Sequence, residues 1–302
     1  MAEERRLVEE RRLREAMKII LSRKGFDSSA GKKPSPIFPD GTMISLPIPD
    51  KSSTIAYEEI AGNCLASIGE LVHDLAGIPQ THRAHLDPDL SAHSIPRSEG
   101  WRPLFAQVGA AEKHLENQGV GIGDVFLFFG LFRRVEKSGS RWTYVRGSNP
   151  IHLTFGWLQV AERVAVSNWP DGAAWALRHP HFRRESDPTN VLYIGAERLA
   201  PPGLKSLSIP GAGLFPNFTP ELQLSEPGSR LPSQWLLPAW FHPGRRRSAL
   251  TYHSDLSRWR TSPTGVTLDS AARGQEFVLD CDDYPEAIEW LRERLALTER
   301  IT

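Results

Sequence analysis

Gly123-Asp124-Val125-Phe126-Leu127-Phe128-Phe129 is the stretch on which the fold turns. Five large apolar residues in a row, opened by a Gly-Asp turn, leave no face for water. The run therefore reads as a central strand buried on both sides. Working outward, Met17-Lys18-Ile19-Ile20-Leu21 is a second buried strand that runs into a polar turn. Pro39-Asp40-Gly41 sits between Ile37-Phe38 and Met43–Ile48, the composition of a hairpin turn. Pro47 and Pro49 lack amide donors and place that second segment at an edge. Trp142-Thr143-Tyr144-Val145, Ile151 to Val166 and Gln275 to Asp280 supply further strands.

Helical spacing appears in three places. Leu65, Ile68, Leu71, Val72 and Leu75 share a face between a cap at Asn63 and a stop at Gly77. Leu104, Phe105, Val108, Ala111 and Leu115 predict a helix from Pro103 to Gln118. Ile288, Leu291 and Leu295 predict a last helix, capped by Asp282 or Asp283 with Pro285 in its first turn. Residues 200–240 are dense in Pro, Gly and Ser. They also carry Phe215, Phe218, Trp235, Trp240 and Phe241, so the segment reads as an ordered meander rather than a disordered linker. The expected fold is α+β: a strand-rich mixed sheet or partly closed barrel with a few packed helices, forming a single domain over residues 17–302.

Residues 1–16, MAEERRLVEERRLREA, carry five Glu and five Arg and read as a charged helical extension ahead of that domain. The 302-residue chain balances 36 Lys and Arg against 36 Asp and Glu, and removing the extension leaves 31 against 31. That balance excludes a bulk DNA coater, so recognition of nucleic acid must come from a local patch or pocket. Two distant cysteines, Cys64 and Cys281, and the lack of a signal-peptide core point to a cytoplasmic protein. No apolar run is long enough to span a membrane.

The candidate chemistry is polar and scattered. Gly119-Val120-Gly121-Ile122-Gly123 follows a helix and opens a strand, the reverse of a dinucleotide loop. P-loop, HExxH and GxSxG patterns do not occur. In Ser22-Arg23-Lys24-Gly25-Phe26-Asp27-Ser28-Ser29, two cations and several hydroxyls gather around a permissive glycine. Arg23, Lys24, Ser28 and Ser29 are candidates for binding phosphate, and Asp27 for acid/base work. His85-x-Asp87-x-Asp89 would direct three polar groups to one side of an extended segment, as a divalent cation or an acid/base pair requires. Asp-Pro-Asp is equally a turn composition. His179-Pro180-His181 is a weaker pattern of the same kind. Glu276, with Gln275 beside it, could direct a carboxylate into a pocket, or could face solvent on a half-exposed strand. Arg133-Arg134, Arg183-Arg184, Arg245-Arg246-Arg247 and Arg258-Trp259-Arg260 could contact a nucleic-acid backbone, and Trp157 or Trp142 could stack on a base. The catalytic candidates are thus Asp27, His85, Asp87 and Glu276, and the substrate-binding candidates Arg23, Lys24, Ser28, Ser29, Trp157 and Gln275. No metal and no cofactor is assigned.

Two resemblances follow from these strings. The Gly-Asp turn, the apolar strand and Gln159-Val160-Ala161-Glu162-Arg163-Val164 resemble small barrels of the PUA-like superfamily. Ile19 to Ser29 with Pro34-Ser35-Pro36-Ile37 resembles the opening of the third nucleotide-modification-associated domain family. His85-Leu86-Asp87-Pro88-Asp89, Phe155-Gly156-Trp157, His179-Pro180-His181, Leu237-Pro238-Ala239-Trp240-Phe241 and Gly274-Gln275-Glu276-Phe277-Val278 are similar too. Lys32-Lys33 stands where smaller residues are expected. The family name reflects gene neighbourhoods of phage and bacterial DNA-base modification, so the resemblance implies a nucleotide or DNA partner without naming a reaction. Three functions are expected in order: an enzyme performing group transfer or hydrolysis on a nucleotide or DNA base; a non-catalytic PUA-like reader of modified DNA; and a partner-binding structural protein.

Overall fold

The computed structural model describes residues 17–27, 30–171, 173–184, 187–200, 209–244, 246, 248–272 and 276–301. The expected extension, with Ser28, Ser29 and Gln275, lies outside these residues. The strands, in chain order, are β1 (Lys18–Arg23), β2 (Ser35–Ile37), β3 (Ile48–Pro49), β4 (Ala84–His85), β5 (Leu104–Gln107), β6 (Val125–Ser138) and β7 (Arg141–Tyr144). There follow β8 (Ile151–Ala165), β9 (Val191–Gly195), β10 (Ala212–Leu214), β11 (Gln234–Leu237), β12 (Trp259–Ser262), β13 (Gly265–Asp269) and β14 (Glu276–Asp280). The helices are α1 (Ile68–Ala76), α2 (Gly109–Asn117) and α3 (Glu286–Leu295).

The main sheet runs β14-β1-β6-β8-β9-β5, with β2 and β7 joined to β6 and β10 to β8. It is mixed: β1 and β2 lie parallel to β6, and the other pairs are antiparallel. The path has two ends, so among the described residues it does not close into a barrel. The apolar run that starts β6 is central, as its composition demands. Phe126 and Phe128 meet Phe105 on one face, while Phe129 meets Trp235 and Phe277 on the other. Each fully buried Phe contributes roughly 1.5–3 kcal/mol, which fixes β6 as the spine of the domain.

One feature of the sheet places the candidate site. β1 and β2 occupy the same edge of β6: Arg23 is opposite Phe129 and Ser35 is opposite Phe132. Because both strands run in the same direction, the chain between them must leave the sheet and return. It departs where the Lys24 amide bonds to the Phe129 carbonyl at 2.8 Å. Gly130 makes room for that departure, because a Cβ there would lie 2.7 Å from the Lys24 carbonyl oxygen. The chain then reverses at Gly25 (φ +77°), where a Cβ would meet Ser45 Oγ at 2.5 Å. Phe26 anchors the excursion in a second, smaller core with Phe38, Leu46, Tyr57, Leu71 and Trp142.

Three local expectations need correction. Residues 104–107 form strand β5 rather than the first turn of a helix, because all four pair with β9 and are buried on both faces. Helix formation begins only at Gly109. The cap of α1 is Ser67, not Asn63. Ser67 Oγ accepts from the Glu70 amide while the Glu70 carboxylate accepts from the Ser67 amide, a full capping box. The last helix likewise starts after Pro285 without a side-chain cap. Among the described residues, no helix is long and apolar enough to cross a membrane.

Candidate active site

Four segments distant in sequence converge beside the outer end of β5. The excursion after β1 brings Arg23, Lys24 and Asp27. The β3–β4 pair sets Asp50 against His85. The chain after β4 runs along β5, where the Ala106 amide donates to Asp87 Oδ1 at 3.0 Å. A short 3-10 turn, Pro180–Arg184, contributes His181 and Arg184. Together with Gln107 they line a cavity of about 350 Å³. A more apolar cavity of about 320 Å³, lined among others by Met43, Ile60, Leu90 and Phe155, adjoins it; the two share Gly25 and Asp87.

Asp87 is the hub. Its side chain is 4% exposed, and three imidazoles surround it: His179 Nε2 at 3.2 Å from Oδ1, and His85 Nε2 and His181 Nε2 at 3.8 and 3.9 Å from Oδ2. Burial opposes its charge, but the hydrogen bond from His179 and the charges of His179, His181 and His85 hold it well below the usual carboxylate range. Burial pushes His181 down to about 4, against the opposing pull of Asp87. His85 Nδ1 donates to Asp50 Oδ2 at 2.8 Å. That bond, helped by the bonds from Ser52, outweighs the opposing effect of burial and keeps Asp50 well below its ordinary value. His181 Nδ1 is 2.6 Å from Asn190 Oδ1, and Asn190 Nδ2 donates to the carbonyls of His181 and Arg184.

Behind the cavity wall, Glu276 is 1% exposed and not solvent-facing. Its Oε1 accepts from Lys24 Nζ at 2.9 Å and from Gln107 Nε2 at 2.6 Å, while its Oε2 has no hydrogen-bond partner among the described residues. Lys24 also lies over the Phe105 ring at 4.5 Å. Glu276 is therefore joined to the cavity through two residues that line it.

Of the expected residues, Arg23, Lys24, Asp27, His85 and Asp87 line this one cavity, and Glu276 bonds to two members of it. The guanidinium of Arg23 donates to the carbonyls of Ala271 and Ala272, which leaves it less free for phosphate than its sequence context suggested. Trp157 does not join them. It is 3% exposed, donates from Nε1 to the Pro210 carbonyl and packs against Phe215, so its ring faces are covered. Trp142 is buried against Phe38. Asp89 also departs from the expected trio, since Arg97 holds both its oxygens at 2.5 and 2.6 Å. Several of the arginines proposed for a backbone groove are bound internally: Arg133 to Ser148 and Val145, Arg246 to Glu286, Arg260 to Asp269. Among the described residues of those clusters, Arg184 alone reaches the cavity. Sequence reading passed over Asp50, Gln107 and Asn190, and gave His179 and His181 little weight.

An α+β fold with a mixed sheet, and a buried His/Asp cluster open to a cavity rimmed by cations, has the makings of a small-molecule site. Residues 18–280 match the family described as nucleotide modification associated domain 3, and the chain belongs to that family. No curated protein and no solved structure matches it.

Proposed function

We propose that the protein is an enzyme that modifies a nucleotide or a DNA base by group transfer or hydrolysis, with the Asp87 cavity as its active site. The observation that carries this reading is the convergence of Lys24, Asp27, His85 and Asp87, from two segments distant in the chain, on one concave site backed by the buried Glu276. An enzyme needs such convergence; a reader needs an accessible aromatic platform, and Trp157 and Trp142 are buried in cores.

The two adjoining cavities suggest how a nucleotide would lie. The apolar one suits a base, with Asn63, Ser91 and His93 available to its polar edge. The charged one suits phosphate, with Lys24 and the exposed Arg184 as cations. The reacting atom then falls at the shared wall beside Asp87. There His85, oriented by Asp50, and Asp87, oriented by His179 and the Ala106 amide, are placed to move a proton or direct a water. Incubating the purified protein with nucleotides and with modified and unmodified DNA, and weighing the products by mass spectrometry, tests the proposal. Turnover should fall at least about 100-fold in Asp87→Asn. Turnover equal to wild type in a folded Asp87→Asn protein sinks the assignment of this cavity.

A further inference from the structure

We infer that His85, Asp87 and His181 bind a divalent first-row transition-metal ion through His85 Nε2, His181 Nε2 and Asp87 Oδ2. The inference deepens the reading of this cavity as an active site and rests on it for function, though not for binding. One ligand atom from each of the three residues lies within 4.8 Å of the others.

The decisive point is the direction of the lone pairs. The Asn190 amide donates through Nδ2 to two backbone carbonyls, so its Oδ1 can only accept, and the His181 Nδ1 facing it at 2.6 Å must carry the hydrogen. The Asp50 carboxylate likewise can only accept, so His85 Nδ1 carries the hydrogen there. In its neutral form each imidazole is thereby the tautomer whose Nε2 bears a lone pair, the form that binds a metal, and both Nε2 atoms lie toward Asp87 Oδ2. Oδ1 of the same carboxylate is already taken by His179 and the Ala106 amide. Three electron-pair donors thus converge on a space with no hydrogen between them. The gaps of 3.8 and 3.9 Å are too long for a hydrogen bond. A cation with bonds of about 2.1 Å would bridge them once the three donors draw closer together around it.

The surroundings match a metal centre in a second, independent way. A ligating imidazole characteristically gives its other N–H to a carboxylate or carbonyl-type oxygen, and both histidines do so here. Two imidazoles and one carboxylate suit a first-row transition ion rather than calcium or magnesium, and leave coordination positions open for water or a substrate oxygen. The cavity provides access from the side of Asp27 and Lys24.

The full-length protein, stripped with a chelator and titrated with Co²⁺, should take up one equivalent and develop visible ligand-field absorption that Zn²⁺ abolishes by competition. Asp87→Asn and His181→Gln should each weaken uptake at least about 100-fold while retaining the circular dichroism of the wild type. Should either fail to fold, Asp50→Asn serves in its place. As a positioning change it should weaken binding about 10–100-fold and shift the cobalt bands. Absence of Co²⁺ uptake by the wild type, or uptake and bands unchanged in folded variants, overturns the inference. Nucleotide turnover by a protein that binds no metal would remove the metal and keep the proposed function. Metal uptake without action on any nucleotide would do the reverse.

Discussion

Glu276 and Lys24 offer the sharpest test of the physical picture, because a buried carboxylate is tolerated only while its partner is present. The side chains are 1% and 10% exposed and 2.9 Å apart. Lys24→Met preserves the aliphatic stem over Phe105 but leaves Glu276, among the described residues, with Gln107 as its remaining side-chain donor. Removing one member of a buried pair costs about 3–5 kcal/mol. Some of that is recovered through the bond from Gln107, so about 3 kcal/mol is expected. Glu276→Gln should cost less, about 1–2 kcal/mol, because Lys24 can turn its ammonium toward the open cavity. In the double variant the stranded charge is gone. Its loss should fall short of the summed single losses by about 2 kcal/mol. Urea unfolding followed by both tryptophan fluorescence and far-UV circular dichroism measures all four proteins and shows whether the transitions coincide. A coupling within about 0.5 kcal/mol of zero would falsify the claim that these groups form a buried, mutually dependent pair.

Three further outcomes follow from the same geometry. His152 and His253 are buried and lowered to about 3 and about 4, chiefly by desolvation, with the Arg23 and Arg258 charges adding to it. Their folded values lie below the ordinary 6.5, so their contribution is complete above pH 6.5. It shrinks as pH falls toward 4, by up to about 2.7 kcal/mol per pH unit for the two together. A thermal midpoint that does not fall between pH 7 and pH 5 contradicts this. Asp27→Ala should abolish turnover with the fold intact; full activity removes Asp27 from the site. Gly25→Ala should destabilise by about 1–3 kcal/mol, since φ is +77° and the new methyl would meet Ser45 Oγ; chemical denaturation showing wild-type stability would count against the turn geometry.

Sequence patterns revealed the scaffold better than the site. Val125–Phe129 and Ile19–Leu21 could be placed because a run without polar residues has few places to go. Leu104–Gln107 misled because Leu104, Phe105, Val108, Ala111 and Leu115 satisfy a helical period. What decides their state is pairing with Val191–Gly195, a contact some 90 residues away that carries no local mark. The site shows the same limit. His85 and Asp87 stood out through their own spacing, but His179 and His181 gain meaning only from meeting Asp87, 92 residues earlier for His179. Glu276 stands beside Gln275 at the polar start of a strand that continues Phe277-Val278-Leu279, and nothing local announces that Lys24 and Gln107 cover it. Trp157 was prominent by size alone, and size serves packing as readily as recognition.

The excursion between β1 and β2 has a consequence for how this protein can diverge. Its two ends are stapled to positions three residues apart on β6, Phe129 and Phe132, about 10 Å along the strand. Length added between those staples changes the cavity wall while leaving every rung of the sheet in place. Each doubling of a flexible loop costs only about 0.6 kcal/mol in closure entropy. The shape of this cavity wall can therefore drift through insertions and deletions here at little cost in chain closure, whereas the Asp87 cluster, tied to four separate segments, has no such latitude.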